Sequence, residues 1–342
     1  MQKISRFEAV SLTVNLLCCK LFLLTPSFFI ENAGSASLLT VLMIYAIALL
    51  FFLFFKKRTD SNLFSLMPSS FLKRLFHFTA LLLTLFCCTV NLSLLIYFLK
   101  LLAFPRSPFL FLAIPFGLGM IVCAKGGIQS IGKTNGFFVP ILFGVLLFLL
   151  ALHLKKFSFF NLFPFFGKGV SETFVSGIFM LSSLFEILIL FYLTEDYNGN
   201  ISAVAFPSLF ISALLYLFVI GATLLTDTSR TLPAVFTVMQ TGLFGRSDGL
   251  FLILYTLSGL LYLSSMLFFA TRMFQKAFLT PHRKPLCTPL ALLCIAFSEI
   301  TFLNPEGQAF LKHAGLFLWL IPFLIPLILM MLPKKKKETP HV

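Results

Sequence analysis

Charged residues are scarce in this sequence, and acidic residues are the scarcest. Of 342 residues, 12 are Asp or Glu and 26 are Lys or Arg, whereas 59% are hydrophobic. A chain of this size cannot hide so much apolar surface in a soluble core, so the composition excludes a soluble protein and predicts a polytopic membrane protein. The polar gaps between apolar runs are short, so the prediction is a single transmembrane domain over residues 1–342.

Motifs for catalysis and cofactor binding are also missing. The five histidines and seven cysteines lack the spacing of a metal site or disulfide framework, and there is no glycine-rich phosphate loop. The basic residues are scattered over short loops, which argues against a nucleic-acid partner. The sequence therefore predicts no enzyme, metal or cofactor, and it places Glu195, Asp196, Asp227 and Arg230 in solvated connections.

Apolar runs of about 20 residues, the length that crosses a bilayer, are abundant. Bounded by charge, proline or glycine, they predict an all-α protein with ten transmembrane helices. The predicted spans are 7–27, 37–55, 72–100, 108–124, 136–154, 171–194, 201–225, 249–272, 286–303 and 314–332. A basic tail, 333–342, follows the last span.

The basic residues between these spans predict the orientation. Seventeen fall on the side of the N-terminus and eight on the other, with Lys20 left inside a span. Because cytoplasmic loops carry the excess of Lys and Arg, both termini are expected in the cytoplasm, where anionic lipid would attract the basic tail.

Two spans contain an ionisable residue where a charge costs about 2.5 to 3.5 kcal/mol. In the first span Lys20 follows Asn15, Cys18 and Cys19, and in the sixth span Glu186 interrupts an apolar run. Small and hydroxylated residues precede Glu186 and let a transmembrane helix bend or unwind: Ser176, Gly177, Ser182 and Ser183.

The first and sixth spans are five apart in the chain. In transporters built from five-plus-five inverted repeats, these equivalent helices are discontinuous and form the ligand site at the membrane midplane. The span count and the two interruptions predict this LeuT-like arrangement, with repeat one over about 7–154 and repeat two over about 171–332.

Four stretches, in order, resemble the spore germination permeases, the membrane B subunits of germinant receptors within the amino acid, polyamine and organocation transporter superfamily. They are TPSFFIENAGSA (25–36), AKGGIQSIGKTNGFFVPIL (124–142), FFNLFPFFGKGV (159–170) and LSSLFEILILFYL (181–193). The resemblance implies an amino acid ligand, an A-type subunit and a C-type lipoprotein as partners, and a spore inner membrane or bacterial cell membrane location. The chain departs from the family pattern at Cys18, Cys19 and Lys20. It also departs after the helix-five loop, where Lys133-Thr134-Asn135-Gly136 stands in place of the family's Arg-Thr-x-Glu and lacks the acid.

The role of Lys20 has several possible explanations. In related sodium-driven transporters a cation lies between helices one and eight, so one hypothesis is that the Lys20 ammonium replaces it, as a fixed or protonatable cation, beside Ser264 and Ser265. Lys20 could instead pair with Glu186, across roughly 9 Å of axial offset at 1.5 Å per residue, or extend into a water-filled vestibule. Glu186 could equally cap exposed backbone amides.

Further possible ligand contacts are predicted on helix three, at Thr89, Asn91, Ser93 and Tyr97, and on helix eight, at Tyr255, Ser258, Gly259 and Tyr262. Two functions remain open. One is a ligand-sensing subunit of a germinant receptor, and the other is a proton-coupled amino acid secondary transporter, because the fold alone does not distinguish them.

Overall fold

The computed structural model describes residues 3–22, 29–30, 33–54, 70–151, 186–197, 199–225 and 248–303, with isolated positions between 158 and 184. These residues contain nine α-helices: α1 (Arg6–Cys18), α2 (Ser37–Phe54), α3 (Ser70–Leu102), α4 (Phe109–Gly126), α5 (Ile128–Ala151), α6 (Ile187–Leu193), α7 (Ser202–Leu225), α8 (Asp248–Phe278) and α9 (Cys287–Leu303). Short 3₁₀ turns at Cys19–Phe22, Gly34–Ala36 and Lys284–Leu286 join or extend them.

Seven of the described helical segments are long and apolar enough to cross a membrane. They coincide, wholly or for most of their length, with α2, α3, α4, α5, α7, α8 and α9. The protein is therefore an all-α integral membrane protein, as the composition predicts. The predicted tenth span, 314–332, and the basic tail lie outside the described residues.

Helix α1 begins and ends abruptly. Ser5 caps its N-terminus in a reciprocal capping box with Glu8, which satisfies backbone amides that have no partner inside the helix. The helix ends at Cys18 after 13 residues, which is about 20 Å of rise, and the chain continues as a 3₁₀ turn over Cys19–Phe22. A hydrocarbon core is about 30 Å thick, so α1 is interrupted well before it could cross.

The centre of the molecule is formed by α1, α3 and α8. Apart from the half-buried Val10, every residue of α1 from Ala9 to Cys18 is buried, as is every residue of α8 over 261–273. A helix buried on all sides lies inside a bundle, and α1 packs against α5, α7 and α8. In contrast, α4 and α9 expose large apolar side chains such as Phe111, Leu118 and Phe297, as expected of helices that face lipid.

Several helices extend beyond their predicted spans. Helix α8 continues to Phe278 rather than ending at 272, and α5 begins at Ile128 rather than at 136. The predicted loop before helix five is therefore largely helical, and the turn from α4 is made at Gly127, whose φ of +89° favours glycine. Hydropathy ends a span at the first charge, but a helix continues into the polar layer as long as its backbone hydrogen bonds are made.

Candidate functional site

Lys20 and Glu186 form a buried ion pair between the end of α1 and the start of α6. The Lys20 Nζ lies 2.7 Å from Glu186 Oε1 and donates a 2.9 Å hydrogen bond to Oε2. Only 6% of the Lys20 side chain and none of the Glu186 side chain is exposed. Lys20 lies on the 3₁₀ turn after α1, and Glu186 is the residue before α6. The pair therefore joins the end of one helix to the start of the other.

This contact decides between the alternatives for the two residues. A lysine in a water-filled vestibule would be exposed, and a capping glutamate would accept from backbone amides at the start of α6. Lys20 is instead buried against a carboxylate, and the Glu186 side chain makes no cap hydrogen bond. Both the vestibule and the capping interpretations are wrong, because the two long side chains span the axial offset between them.

Two further side chains extend the pair into α8 and α3. The Tyr262 hydroxyl of α8 donates a 2.8 Å hydrogen bond to Glu186 Oε1. The Asn91 Nδ2 of α3 donates to the Tyr262 oxygen at 3.2 Å and to the Cys87 carbonyl oxygen at 2.7 Å. The carboxylate is thereby held by an ammonium and a hydroxyl, and the buried charge is fully compensated, as a buried ion pair requires.

The end of α1 is held by hydrogen bonds from α7 and α8. The Tyr216 hydroxyl donates to the Leu17 carbonyl oxygen at 3.1 Å, and the Ser258 hydroxyl donates to Asn15 Oδ1 at 3.0 Å. Carbonyl oxygens in the last turn of a helix lack regular partners within it, so a buried end needs side-chain donors. Tyr216 therefore satisfies a backbone oxygen that the interruption leaves in an apolar interior, and Ser258 connects the Asn15 side chain near the end of α1 to α8.

Three buried polar atoms around this interruption make no hydrogen bond to the part of the chain that the structure describes. They are Asn15 Nδ2, the Tyr45 hydroxyl of α2 and the Ser212 hydroxyl of α7. An unpartnered buried polar group costs about 1–3 kcal/mol, so such groups are rare unless water or a ligand completes them. Polar atoms able to contact a bound molecule therefore surround the Lys20 turn.

A second group of charges lies at the face that carries the N-terminus. Arg272 of α8 pairs with Glu195, at 3.1 Å, and with Asp196, and Lys276 pairs with Glu195. The Ile4 amide donates to the Asp196 carbonyl oxygen at 3.0 Å, which joins the start of α1 to the same connection. The prediction that Asp196 is solvated is wrong, because α8 extends over the α6–α7 connection and buries Asp196 to 3% exposure, whereas Glu195 stays partly exposed. Asp227 and Arg230 lie outside the described residues.

A comparison with protein families identifies the chain. The family model described as spore germination protein matches residues 3–305, nearly the whole chain. The chain belongs to the spore germination protein family. A search of curated proteins found no match. The chain is therefore a germination-related integral membrane protein, which agrees with the resemblance found in the sequence.

The structure of this spore germination protein brings together only part of the predicted site. Lys20, Glu186 and Tyr262 are in direct contact, and Asn15 and Ser258 adjoin them by the hydrogen bond between α1 and α8. Cys18 and Cys19 are buried at the helix break. Tyr255 of α8 donates instead to the Leu94 carbonyl oxygen of α3, at 3.1 Å.

Three of the predicted residues of helix three, Thr89, Ser93 and Tyr97, lie away from the ion pair. Thr89, Ser93 and Tyr97 are spaced four residues apart and share one face of α3. The Thr89 carbonyl oxygen accepts a hydrogen bond from Ser298 of α9, and the 42% exposed Tyr97 packs its ring against Phe302 of α9. That face is turned to α9, so the structure does not bring these residues to the ion pair.

The remaining predicted residues have local roles or cannot be placed. Ser264 and Ser265 donate to the Leu260 and Leu261 carbonyl oxygens within α8. Gly177 packs against α2, where an added Cβ would collide with Met43. Ser176, Ser182 and Ser183 lie outside the described residues. Within the described ranges, no group of three His, Cys, Asp or Glu side chains is arranged to hold a metal ion.

Three residues around the site were not among the predicted contacts: Tyr45, Ser212 and Tyr216. A sequence signal existed for two of them, because Ser212 and Tyr216 are polar residues four apart within the apolar run of α7 and so share a face. Tyrosine in a buried apolar run needs a partner for its hydroxyl, which is a second available signal.

Proposed function

We propose that this spore germination protein is the ligand-sensing membrane subunit of a germinant receptor. A small molecule, an amino acid, binds beside Lys20 and Glu186, and the change is relayed to an A-type subunit and a C-type lipoprotein. The observation that carries the proposal is the buried ion pair between the end of α1 and the start of α6. The proposal includes a LeuT-like arrangement of ten helices with both termini in the cytoplasm.

The ion pair suits a zwitterionic ligand. Removing one partner of a buried pair costs about 3–5 kcal/mol, because a charge is left without compensation. An amino acid carries both charges, so its carboxylate can pair with Lys20 while its ammonium pairs with Glu186. The ligand can therefore separate the two segments without leaving either charge unpaired. The unpartnered atoms of Asn15, Tyr45 and Ser212 supply hydrogen bonds to its remaining polar groups.

A short path connects this site to the N-terminal face. Helix α6 has seven residues, about 10 Å of rise, and leads from Glu186 to Glu195 and Asp196. Those two acids bind Arg272, and the Asp196 backbone binds Ile4. A shift of Glu186 on ligand binding would therefore move a connection that holds both the start of α1 and the end of α8. The α6–α7 connection would take one position without the ligand and another with it, and partner subunits would respond to the difference.

The proposal is tested by the germination response of spores that carry variants of this chain. Lys20→Met and Glu186→Gln are each expected to raise the amino acid concentration needed for half-maximal germination by at least about 100-fold, which corresponds to about 3 kcal/mol. Lys133→Met changes an exposed lysine and is the matched control. Membrane levels of each variant are measured by immunoblot. An unchanged response of a normally expressed Lys20→Met variant would contradict the proposal.

Transport is the competing function, and one observation favours it: a carboxylate, that of Glu186, is fully buried between helices beside a lysine. Proteoliposomes that contain this chain alone are tested for binding and uptake of labelled amino acid, with and without a pH gradient. Saturable binding without uptake supports sensing. Uptake that follows the pH gradient and is lost in Glu186→Gln would replace the sensing proposal with a proton-coupled transporter.

A further inference from the structure

A cleft of about 610 Å³ opens at the N-terminal face, apart from the Lys20–Glu186 site. Its walls are the α4–α5 turn at 126–129, the end of α8, Asp196, and the connection 281–285 before α9. The walls carry the basic residues Arg272, Arg283 and Lys284 and one acid, Asp196. This excess of positive charge makes the cleft suited to an anion.

The single acid of the cleft does not balance Arg283 and Lys284. Asp196 pairs with Arg272, which leaves no other carboxylate among the described residues that line the cleft. Lys284 is exposed and Arg283 is half-buried. Two positive charges therefore remain for an occupant, which suits both the single negative charge of a phosphodiester headgroup and the charge of about −1.5 to −2 on a phosphate monoester at neutral pH.

Arg283 is held in place by two contacts. Its guanidinium lies over the Phe268 ring, 4.3 Å from the centroid, and its Nη1 donates to the Ala124 carbonyl oxygen at 3.0 Å. Burial lowers the pKa of Arg283 from its ordinary value, which is so high that the group stays charged at neutral pH. A guanidinium fixed in this way loses little freedom when it binds a phosphate, for which its planar fork is well suited.

The backbone beside Arg283 is also open. Gly127 has a φ of +89°, and a Cβ added there would lie 3.8 Å from Arg283 Nη2. A phosphate oxygen can therefore approach the α4–α5 turn and the guanidinium together. Phe278, the last residue of α8, and Leu279, which follows it, are exposed, as expected where a helix leaves the hydrocarbon.

We propose that this cleft binds the phosphate group of an anionic molecule through Arg283 and Lys284. The phosphate could belong to an anionic phospholipid headgroup or to a soluble phosphate ester. Basic pockets between transmembrane helices on the cytoplasmic side bind anionic headgroups, and the excess of basic residues predicts that this face is cytoplasmic. The basic tail, 333–342, has the same sign of charge and does not suit the cleft.

The test uses the full-length protein purified in an uncharged detergent. Binding of phosphatidylglycerol, phosphatidylcholine and glycerol phosphate is measured separately by native mass spectrometry and by thermal stabilisation. Phosphatidylglycerol or glycerol phosphate is expected to bind, and Arg283→Gln and Lys284→Gln are each expected to weaken that binding by at least about 10-fold. Lys133→Gln removes an exposed lysine that does not line the cleft and should bind as tightly as the unchanged protein.

The two sources give different results. Binding of phosphatidylglycerol without glycerol phosphate assigns the site to a lipid headgroup, and binding of glycerol phosphate assigns it to a soluble ester. Because Arg283→Gln also removes the contacts with Phe268 and Ala124, the exposed Lys284 provides the variant that isolates charge. The proposal is overturned if neither phosphate compound binds better than phosphatidylcholine. It is also overturned if Lys284→Gln binds as tightly as the unchanged protein, or if Lys133→Gln weakens binding as much.

Discussion

The two ion-pair clusters of this protein use the same chemistry in different surroundings. At the helix break, one lysine meets one glutamate with almost no exposure. At the N-terminal face, two basic and two acidic residues share contacts, and the side chains of Lys276 and Glu195 are 24% and 29% exposed. A network with access to water can lose one contact and still be solvated, whereas a charge of the buried pair that loses its opposite charge has almost no access to water.

This difference suggests separate roles. Under the proposed function, a ligand with two charges would change the state of the buried pair fully, because both of its members would then exchange partners. The network holds α8, the α6–α7 connection and the start of α1 together, with Ile4 bound through its backbone. We infer that the first cluster recognises a ligand. We infer that the second cluster holds the elements of the N-terminal face together.

The largest expected effect comes from breaking the isolated pair. Lys20→Met and Glu186→Met should each lower the free energy of unfolding by about 3–5 kcal/mol, because the remaining charge stays buried without a partner. The double variant should recover most of that loss, since two methionines bury apolar surface without any charge. Denaturant-induced unfolding in detergent micelles measures all three.

The coupling energy of the two substitutions is the difference between the loss in the double variant and the sum of the losses in the single variants. Losses that simply add in the double variant would show that the two side chains do not act as a pair. The pair Lys133→Met and Lys20→Met provides the control, because Lys133 is exposed and the two changes should add.

A smaller effect is expected from the network. Arg272→Gln removes the partner of the buried Asp196 and one of the two partners of Glu195, and should lower the free energy of unfolding by about 1.5–3 kcal/mol. The loss is less than at Lys20 because Glu195 keeps Lys276. Faster hydrogen exchange at the Ile4 amide should accompany it, measured by mass spectrometry of N-terminal peptides. Unchanged exchange at the Ile4 amide would show that Arg272 does not help to hold the start of α1 at this face.

The sequence predicts the helix interruption and both of its charges, but not how they meet. Lys20 and Glu186 stand out because a charge in an apolar run is costly, which is a local property. Whether they touch depends on the relative height of two segments and on the 3₁₀ turn after Cys18, which no pattern in either segment encodes. The error at Asp196 has the same origin, since its burial depends on the length of α8, far along the chain.

On helix α3 the sequence likewise does not determine which polar residues face the site. Thr89, Ser93 and Asn91 are equally polar in the sequence, but residues two positions apart face different sides of a helix. The rotation of α3 turns Asn91 to Tyr262 and Thr89 to α9. Polarity therefore identifies candidates on a buried helix, and only packing selects among them.

A still smaller change tests how far the surrounding hydrogen bonds support the isolated pair. Tyr262→Phe removes the hydroxyl that donates to Glu186 Oε1 and accepts from Asn91, while the ammonium of Lys20 still compensates the charge. We expect a loss of about 1–2 kcal/mol in the free energy of unfolding. Tyr255→Phe removes a hydroxyl between the same two helices, away from Glu186, and is the matched control. If only Tyr262→Phe also changes the germination response, the hydroxyl contributes to the ligand site and not merely to packing of α8 on α3.

The smallest expected effect lies at the exposed edge of the network. Lys276→Gln removes a partly exposed contact with Glu195, while Arg272 stays in place, and should cost less than about 1 kcal/mol. Salt screens exposed charges, so this cost should disappear as the salt concentration rises, whereas the cost of Lys20→Met should hardly change. The two variants are unfolded in detergent over the same series of salt concentrations. Equal salt dependence at both sites would mean that water reaches Lys20 as readily as Lys276, and the distinction between a dry pair and a hydrated network would no longer hold.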